Sequence, residues 1–233
     1  MNLLEMSGLG GGFLLGNHGC CGVPGIKDHS REGLERSWEL GRGSLIDLVL
    51  GRGDKVLMSH EADIHLAKDD VVLFEDAVSW AEDKQVLLFL NLLQSGNAGK
   101  ECAAGAVSLA VPRGLAFAFC SADGPFLRQI KKDLGGVATV YIGGGYADSF
   151  ERDLLLEATK ARCNGIIVDC DAPDYGWVEE LFQKNEKRKK NRLVFLAHIG
   201  SEFECAPWCA AHGMGFICDD PLEAINAIMQ CEY

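Results

Sequence analysis

A short apolar segment, a polar residue at its end and then an amphipathic helix recur eight times along this chain of 233 residues. Strands that alternate with helices at this rhythm indicate a parallel sheet covered by helices. Eight such units predict a single (β/α)8 TIM barrel, in which functional side chains lie at the C-terminal ends of the strands. The apolar segments end at His18, Asp47, Asn91, Ser121, Gly143, Asp169, His198 and Asp219.

The predicted elements cover most of the chain. The barrel strands occupy 12–17, 44–50, 86–92, 115–120, 137–142, 165–169, 193–198 and 214–218. Helices are predicted at Arg31–Leu40, 71–81, 98–110, 124–134, 148–162, 175–190, 202–212 and 221–230. Ser30 is the expected N-cap of the first helix, and apolar residues at a spacing of 3.6 mark the second. The segment 55–60 is expected to fold back beside the second strand.

Length and composition restrict the class of protein. A chain of 233 residues is slightly shorter than the roughly 250 typical of this barrel, so we expect one domain over 1–233. A net charge of -12 argues against nucleic acid or an anionic membrane face as a partner. Ten cysteines spread over the predicted elements indicate a reduced, intracellular protein. No basic secretory start and no apolar run of roughly 18 residues is found, so a cytoplasmic protein without a transmembrane segment is expected.

The strongest candidate site combines two histidines and a carboxylate. His18 ends the first strand, Asp47 lies on the second, and His60 ends the segment that folds back beside it. Two imidazoles that flank a carboxylate can hold a metal ion or share acid and base roles near neutral pH. Alternatively, each histidine is an ordinary buried residue with a hydrogen bond. A hard cation would require further oxygen ligands, and Glu61, just after His60, could supply one.

A second group of polar residues follows the later strands. Asp169 and His198 end the sixth and seventh strands, so they are expected to line the same mouth of the barrel and to contact substrate there. The pair Asp219 and Asp220 precedes Pro221, a good first-turn residue. That order favours a helix start with Asp as its cap over a site.

Several segments, taken together, resemble one known family, the glycerophosphodiester phosphodiesterases. Asn-His-Gly at 17–19, followed by Lys-Asp-His-Ser at 27–30, is similar to the family's His-Arg-Gly and Pro-Glu-Asn-Thr opening. The strand around Asp47 and the segment that leads to His60 resemble the family's Glu-x-Asp strand and its His-Asp. The helix at 73–78 and the closing segment 211–221 are similar to further family patterns. The order and spacing of these segments carry the resemblance.

The resemblance implies a barrel of the phospholipase C-like phosphodiesterase type that cuts a glycerol-type phosphodiester with a divalent cation, usually Ca2+ or Mg2+. His18 and His60 match the acid–base pair, and Asp47 matches one metal carboxylate. Three positions depart from the pattern. Leu45 stands in place of the first metal-binding Glu, the third carboxylate maps to Asn91, and Gly19 replaces an Arg that grips phosphate.

Three hypotheses follow for the function. The first is a divergent phosphoric diester hydrolase that uses His18 and His60, with Asp47 and Glu61 or Asn91 placing a weakly held cation. The second is a catalytically degenerate barrel that binds a phosphorylated ligand or a protein partner. The third is an unrelated barrel enzyme, such as an isomerase, that uses His198 and Asp169. The substrate head group and the oligomeric state stay open.

Overall fold

A computed structural model of the protein describes residues 14–19, 21–62, 71–144, 153–170, 176–201 and 203–231. Its central feature is a closed barrel of eight parallel strands, because the first strand pairs with both the second and the last. The strands are β1 Leu14–Asn17, β2 Gly43–Leu50, β3 Val56–Met58, β4 Val72–Leu73, β5 Leu87–Leu92, β6 Ala116–Ser121, β7 Thr139–Ile142, β8 Gly165–Asp169, β9 Val194–Gly200 and β10 Gly215–Cys218. All of them except β3 and β4 form the barrel.

Helices follow the barrel strands in the order that the sequence predicts. They are α1 Arg31–Leu40, α2 Phe74–Ala81, α3 Gly96–Ala110, α4 Gly124–Asp133, α5 Leu154–Lys160, α6 Gly176–Glu186, α7 Ala206–Ala211 and α8 Pro221–Cys231. The predicted TIM-barrel class is therefore confirmed. Residues 12–13, 148–152, 175 and 202 of the predicted elements lie outside the described residues. No helix in the described part of the chain is long and apolar enough to cross a membrane.

One helix and one short strand differ from the prediction. The helix predicted at 202–212 is a 3-10 turn, Phe203–Cys205, followed by α7, because Pro207 in the first turn restarts the helix. The segment predicted to fold back beside the second strand does so as β3, which pairs antiparallel with the end of β2. Along one edge, β2 pairs with β5. Along its other edge, β2 pairs with β1 near its N-terminal end and with β3 near its C-terminal end. The short β4, which the sequence did not predict, pairs with β3.

The barrel interior is filled by an apolar cluster to which all eight barrel strands contribute. Its members include one residue from each strand at the centre of the barrel: Leu15, Leu45, Phe89, Ala118, Val140, Ile167, Leu196 and Ile217. Side chains on a strand point alternately to its two faces, so the residue two positions later also points into the barrel, one layer nearer the C-terminal end. At six of the eight strands that residue is polar: Asn17, Asp47, Asn91, Asp169, His198 and Asp219. The C-terminal mouth of the barrel is therefore polar above an apolar floor.

Candidate active site

The turn after β1 places His18 at the mouth of the barrel. Its backbone enters the left-handed region (φ 47°), and its N–H donates to the carbonyl of Leu45 on β2 (2.9 Å). The carbonyl of His18 in turn accepts the N–H of His29 (2.8 Å), which closes the loop. A Cβ at Gly33 would collide with the carbonyl oxygen of Gly19, so glycine lets the start of α1 pack directly against this turn.

Asp47 is the centre of the site. Its side chain is buried, and its Oδ2 lies 2.9 Å from Nδ1 of His60 and 3.2 Å from Nδ1 of His18. The His18 contact lacks the alignment of a hydrogen bond, so this buried nitrogen has no hydrogen-bond partner among the described residues. Nδ2 of Asn91, on the neighbouring strand β5, donates to Oδ1 of Asp47 (2.7 Å). Both oxygens of the carboxylate therefore face nitrogen.

His60 lies between two carboxylates. Its Nδ1 faces Asp47, and its Nε2 lies 2.8 Å from Oδ2 of Asp28 in the loop before α1. Only the imidazolium carries a hydrogen on both nitrogens, so this arrangement favours the charged form. The hydrogen bond with Asp47 is the main cause that raises the pKa of His60 above its ordinary value, against a smaller opposing effect of burial. The side chain is 42% exposed and can be reached from solvent.

His18 is in the opposite situation. Burial, only partly offset by the charge of Asp47, lowers the pKa of His18 to about 3. The imidazole is therefore neutral at neutral pH. The pKa of Asp47 is lowered as well: burial alone would raise it, but the hydrogen bonds from His60 and Asn91 help to outweigh that effect. An ionised Asp47 thus contacts one neutral imidazole and one whose surroundings favour the charged form.

His29 completes the group and was not among the predicted site residues. Its Nε2 accepts the backbone N–H of Asp47 (3.3 Å), and burial lowers its pKa to about 4. The ring centroids of His18 and His60 are 3.9 Å apart, and that of His29 lies 5.2 and 5.0 Å from them. We call His18, His29, Asp47 and His60 the histidine cluster. One ligand atom of each lies within 4.8 Å of the others, so the cluster could hold a metal ion.

Glu61 and Asn91, the other predicted metal ligands, differ in their placement. Asn91 contacts Asp47 directly, whereas Glu61 follows His60 with an exposed side chain. Leu45 lies one layer below Asp47, in the apolar floor. The position where the resemblance expects a carboxylate is thus part of the core. A cleft of about 720 Å³ begins at Asn91 and continues past the ends of β6 and β7.

The predicted pair His198 and Asp169 forms a second group at the same mouth. Nδ1 of His198 lies 3.0 Å from Oδ1 of Asp169, and its Nε2 lies 3.2 Å from Nδ2 of Asn17. The Asn17 amide also donates to Oδ1 of Asp219 (2.8 Å). Asp219 therefore lies at the mouth of the barrel. Of the two aspartates, Asp220 is the one that caps α8, since its Oδ1 accepts the N–H of Leu222 (2.9 Å).

The barrel and its polar mouth define a class: the protein has the fold of the glycerophosphodiester phosphodiesterases. A structure assigned to that class from Silicibacter pomeroyi superposes with a TM-score of 0.77, at 14% identity over 97% of both chains. The enzyme from Thermotoga maritima gives 0.72 at 16% identity, over 92% of this chain and 97% of that one. An Oleispira antarctica phosphodiesterase in complex with the product sn-glycerol-3-phosphate gives 0.73 at 15%, over 93% and 96%.

The likeness lies in the structures. No protein-family model matches the sequence, and no curated protein is significantly similar to it. At identities of 14–16% the superpositions establish a shared fold. The resemblance that the sequence motifs suggested is therefore confirmed as one of architecture, with a histidine and aspartate group at the mouth of the barrel.

Proposed function

We propose that this protein is a divergent glycerophosphodiester phosphodiesterase, a phosphoric diester hydrolase whose acid–base pair is His18 and His60. The observation that carries the proposal is the opposite displacement of two pKa values around one carboxylate. His18 is buried and neutral and can accept a proton, whereas His60 has a carboxylate at each nitrogen, which favours the imidazolium that can donate one. Two neighbouring titratable groups whose surroundings separate their pKa values in this way are typical of an acid–base pair.

The two roles follow from which nitrogen each ring presents. Nδ1 of His18 faces Asp47, and the two nitrogens of an imidazole diverge, so Nε2 points away from the carboxylate and is the basic atom. It takes the proton of the attacking hydroxyl while the new bond to phosphorus forms. His60 donates its Nε2 proton to the leaving alkoxide oxygen as the old P–O bond breaks. Afterwards His18 carries the proton that His60 has lost, and exchange with solvent restores both.

Before substrate binds, Asp28 accepts the hydrogen bond of Nε2 of His60, the atom that is to donate the proton. The carboxylate accepts from Nε2 at 2.8 Å, and its side chain is exposed at the rim. The substrate oxygen must replace it there. Asp28 therefore keeps the imidazolium charged and correctly turned in the free protein, and it yields its hydrogen bond during turnover.

A small phosphodiester with a glycerol group is the substrate that we propose. The cleft beside Asn91 has the volume that small-ligand sites usually have, roughly 300–1,000 Å³. His198 and Asp169 lie across the mouth from the histidine cluster and are proposed to contact the head group. We expect the whole of 1–233 to act as one cytoplasmic catalytic domain that binds no nucleic acid.

The divalent cation is the weakest part of the resemblance. Ca2+ takes six to eight oxygen ligands, and Mg2+ requires an octahedral oxygen shell. At this mouth both oxygens of Asp47 already face nitrogens, Leu45 offers none, and Asn91 directs its amide nitrogen inward. These donors do not fit Ca2+ or Mg2+ well, and the acid–base steps above involve none.

Hydrolysis assays test the proposal. Glycerophosphocholine and a chromogenic phosphodiester are offered to the wild type, to His18→Asn and to His60→Asn, with and without Ca2+ or Mg2+. Asparagine tolerates the left-handed backbone of position 18. Each substitution should lower kcat by about 10²–10⁴, the usual contribution of a general acid or base. His212→Asn, an exposed histidine on the outer side, is the matched control and should retain full activity.

Two outcomes would reject the proposal. Activity that survives both substitutions would remove the assigned roles. Wild-type protein that binds the glycerophosphodiester but never cleaves it would support the second hypothesis, a degenerate barrel that binds a phosphorylated ligand. Two features favour that alternative. Asp28 is hydrogen-bonded to Nε2 of His60, and the chain has Gly19 and Leu45 where the resemblance expects an arginine and a glutamate.

A further inference from the structure

The donor atoms of the histidine cluster are mostly nitrogens. Three imidazoles and one carboxylate converge there, and His29 is the member that the resemblance assigns to no role. Imidazole nitrogens suit Zn2+ and neighbouring transition metals, whereas Ca2+ and Mg2+ prefer oxygen. We propose that the histidine cluster is a binding site for a cation of the Zn2+ class, and that this occupancy and acid–base catalysis exclude each other.

The spacing of the ligand atoms supports such a site. Four ligands at the usual zinc distances of about 2.0–2.2 Å stand roughly 3.3–3.6 Å apart in a tetrahedron. The atoms of the cluster lie within 4.8 Å of one another. Oδ2 of Asp47 is already 3.2 Å from Nδ1 of His18 and 2.9 Å from Nδ1 of His60. Coordination requires the more distant ligand atoms to move closer, and the His29 imidazole to give the metal the lone pair that now accepts the backbone N–H of Asp47.

A second observation points to a ligand at the same place. Nδ1 of His18 is buried and has no hydrogen-bond partner among the described residues, although buried polar atoms usually have one. It faces Asp47, a carboxylate that Asn91 holds from its other oxygen. A cation between the imidazole and the carboxylate would satisfy both. His29 and Asp47 are only 3% and 4% exposed, which would shield the ion, while the exposed His60 leaves a route for it to enter.

Exclusion of catalysis follows from the electrons of the ring. A neutral imidazole has one nitrogen lone pair, and a lone pair bound to a metal cannot accept a proton. With Zn2+ bound, His18 cannot act as the base and His60 cannot remain an imidazolium. This consequence rests on the proposed function, whereas the binding itself does not.

The binding test uses the metals alone. ZnCl2, CaCl2 and MgCl2 are titrated calorimetrically into the metal-free protein, and thermal melts are recorded with each. We expect one Zn2+ per chain, with a rise in Tm, and at least a hundredfold weaker binding of Ca2+ and Mg2+. His29→Asn should weaken Zn2+ binding at least tenfold while its Tm without metal stays near that of the wild type. Asparagine suits the left-handed backbone at this position (φ 56°).

Two control variants separate the cluster from other zinc ligands. His212→Asn removes an exposed histidine, and Cys21→Ser removes a half-buried thiol near Asp219 at the same mouth. Both should bind Zn2+ as the wild type does. Binding that is lost in Cys21→Ser but kept in His29→Asn would overturn the proposal, as would Ca2+ or Mg2+ binding as tight as that of Zn2+.

Activity provides the second readout. If the wild type hydrolyses the diester, Zn2+ should inhibit it at least tenfold over the concentration range in which calorimetry reports binding, and a chelator should restore it. Zn2+ that binds without inhibition would overturn the exclusion. If no variant hydrolyses any diester but Zn2+ still binds through His29, the proposed function fails and the metal site stands.

Discussion

Replacement of Asp47 by asparagine removes the charge at the centre of the site and keeps its shape. The carboxylate accepts from Nδ1 of His60 at 2.9 Å, and this hydrogen bond is the main cause of the raised His60 pKa. An asparagine in its place cannot stabilise the imidazolium electrostatically. We therefore expect the pKa of His60 to fall in Asp47→Asn, although the contact with Asp28 persists.

The size of the fall can be worked from the contact. A hydrogen bond to a charged group contributes about 1.5–3 kcal/mol. His60 is 42% exposed, so solvent screening brings the value to the lower end of that range. About 1.5 kcal/mol corresponds to roughly one pKa unit. If His60 is the general acid, the alkaline limb of the pH–rate profile should move down by about one pH unit. At a pH above the His60 pKa of both proteins, the rate of Asp47→Asn should therefore be about one tenth of the wild-type rate.

NMR titration of the His60 imidazole in wild type and Asp47→Asn measures the shift directly, without reference to activity. Glu101→Gln, which removes the same formal charge from the exposed side of α3, is the matched control and should leave the His60 pKa unchanged. A shift below about half a pKa unit in Asp47→Asn would refute the reasoning, because the contact would then contribute too little to set the protonation state. A lowered His60 pKa with an unmoved alkaline limb would refute only its role as the acid.

Three further predictions concern stability. His29 has a pKa of about 4 in the folded protein because it is buried, so the unfolded chain takes up its proton first as the pH falls below the ordinary value of 6.5. By pH 5 this should cost roughly 2 kcal/mol, and denaturant unfolding should show a correspondingly smaller loss between pH 7 and 5 in His29→Asn. Gly19→Arg, which restores the family residue, forces a side chain into φ 72° with its Cβ 3.0 Å from the nitrogen of Leu34. It should destabilise the fold by about 1–3 kcal/mol in the same assay. Unchanged stability would show that neither the left-handed backbone nor the contact with Leu34 strains a side chain at position 19. Leu45→Glu puts a carboxyl group into the apolar floor and should cost at least about 3 kcal/mol, against less than about 1.5 for Leu45→Met. Recovery of its Tm by millimolar Ca2+ would show instead that a calcium site can be restored.

The alternation of apolar strands and helices was sufficient to predict the barrel. Gly165–Asp169 was predicted with the bounds that the structure has, because an apolar run ends there at a charged residue. Val194–Gly200 extends two residues beyond its prediction, since the backbone pairs on past the polar side chain of His198. The two residues of β4 carry too little pattern to be distinguished from a loop. They pair only because β3 offers them an edge.

The site was predictable where the fold places residues by strand order. His18, Asp47 and His60 follow from the ends of β1, β2 and β3, and the structure brings all three together. Their catalytic roles stay predictions. His29 was missed because it lies in a loop, where no periodicity indicates the direction of a side chain. The available signal was Ser30: its hydroxyl accepts the N–H of Gly33 and caps α1, which fixes the residue before it over the mouth.

One consequence of the strand geometry connects the two polar groups at the mouth. Asn17 is the last residue of β1, and its side chain points into the barrel toward His198 and Asp219. The next residue, His18, leaves the strand in a left-handed turn and contacts Asp47. Asn17 therefore belongs to the group with His198 and Asp219, whereas His18 belongs to the histidine cluster, and one peptide bond joins the two residues. Because the Asn17 amide holds the end of β1 beside β9 and β10, the position of the His18 ring depends on hydrogen bonds made on the side of β1 away from Asp47.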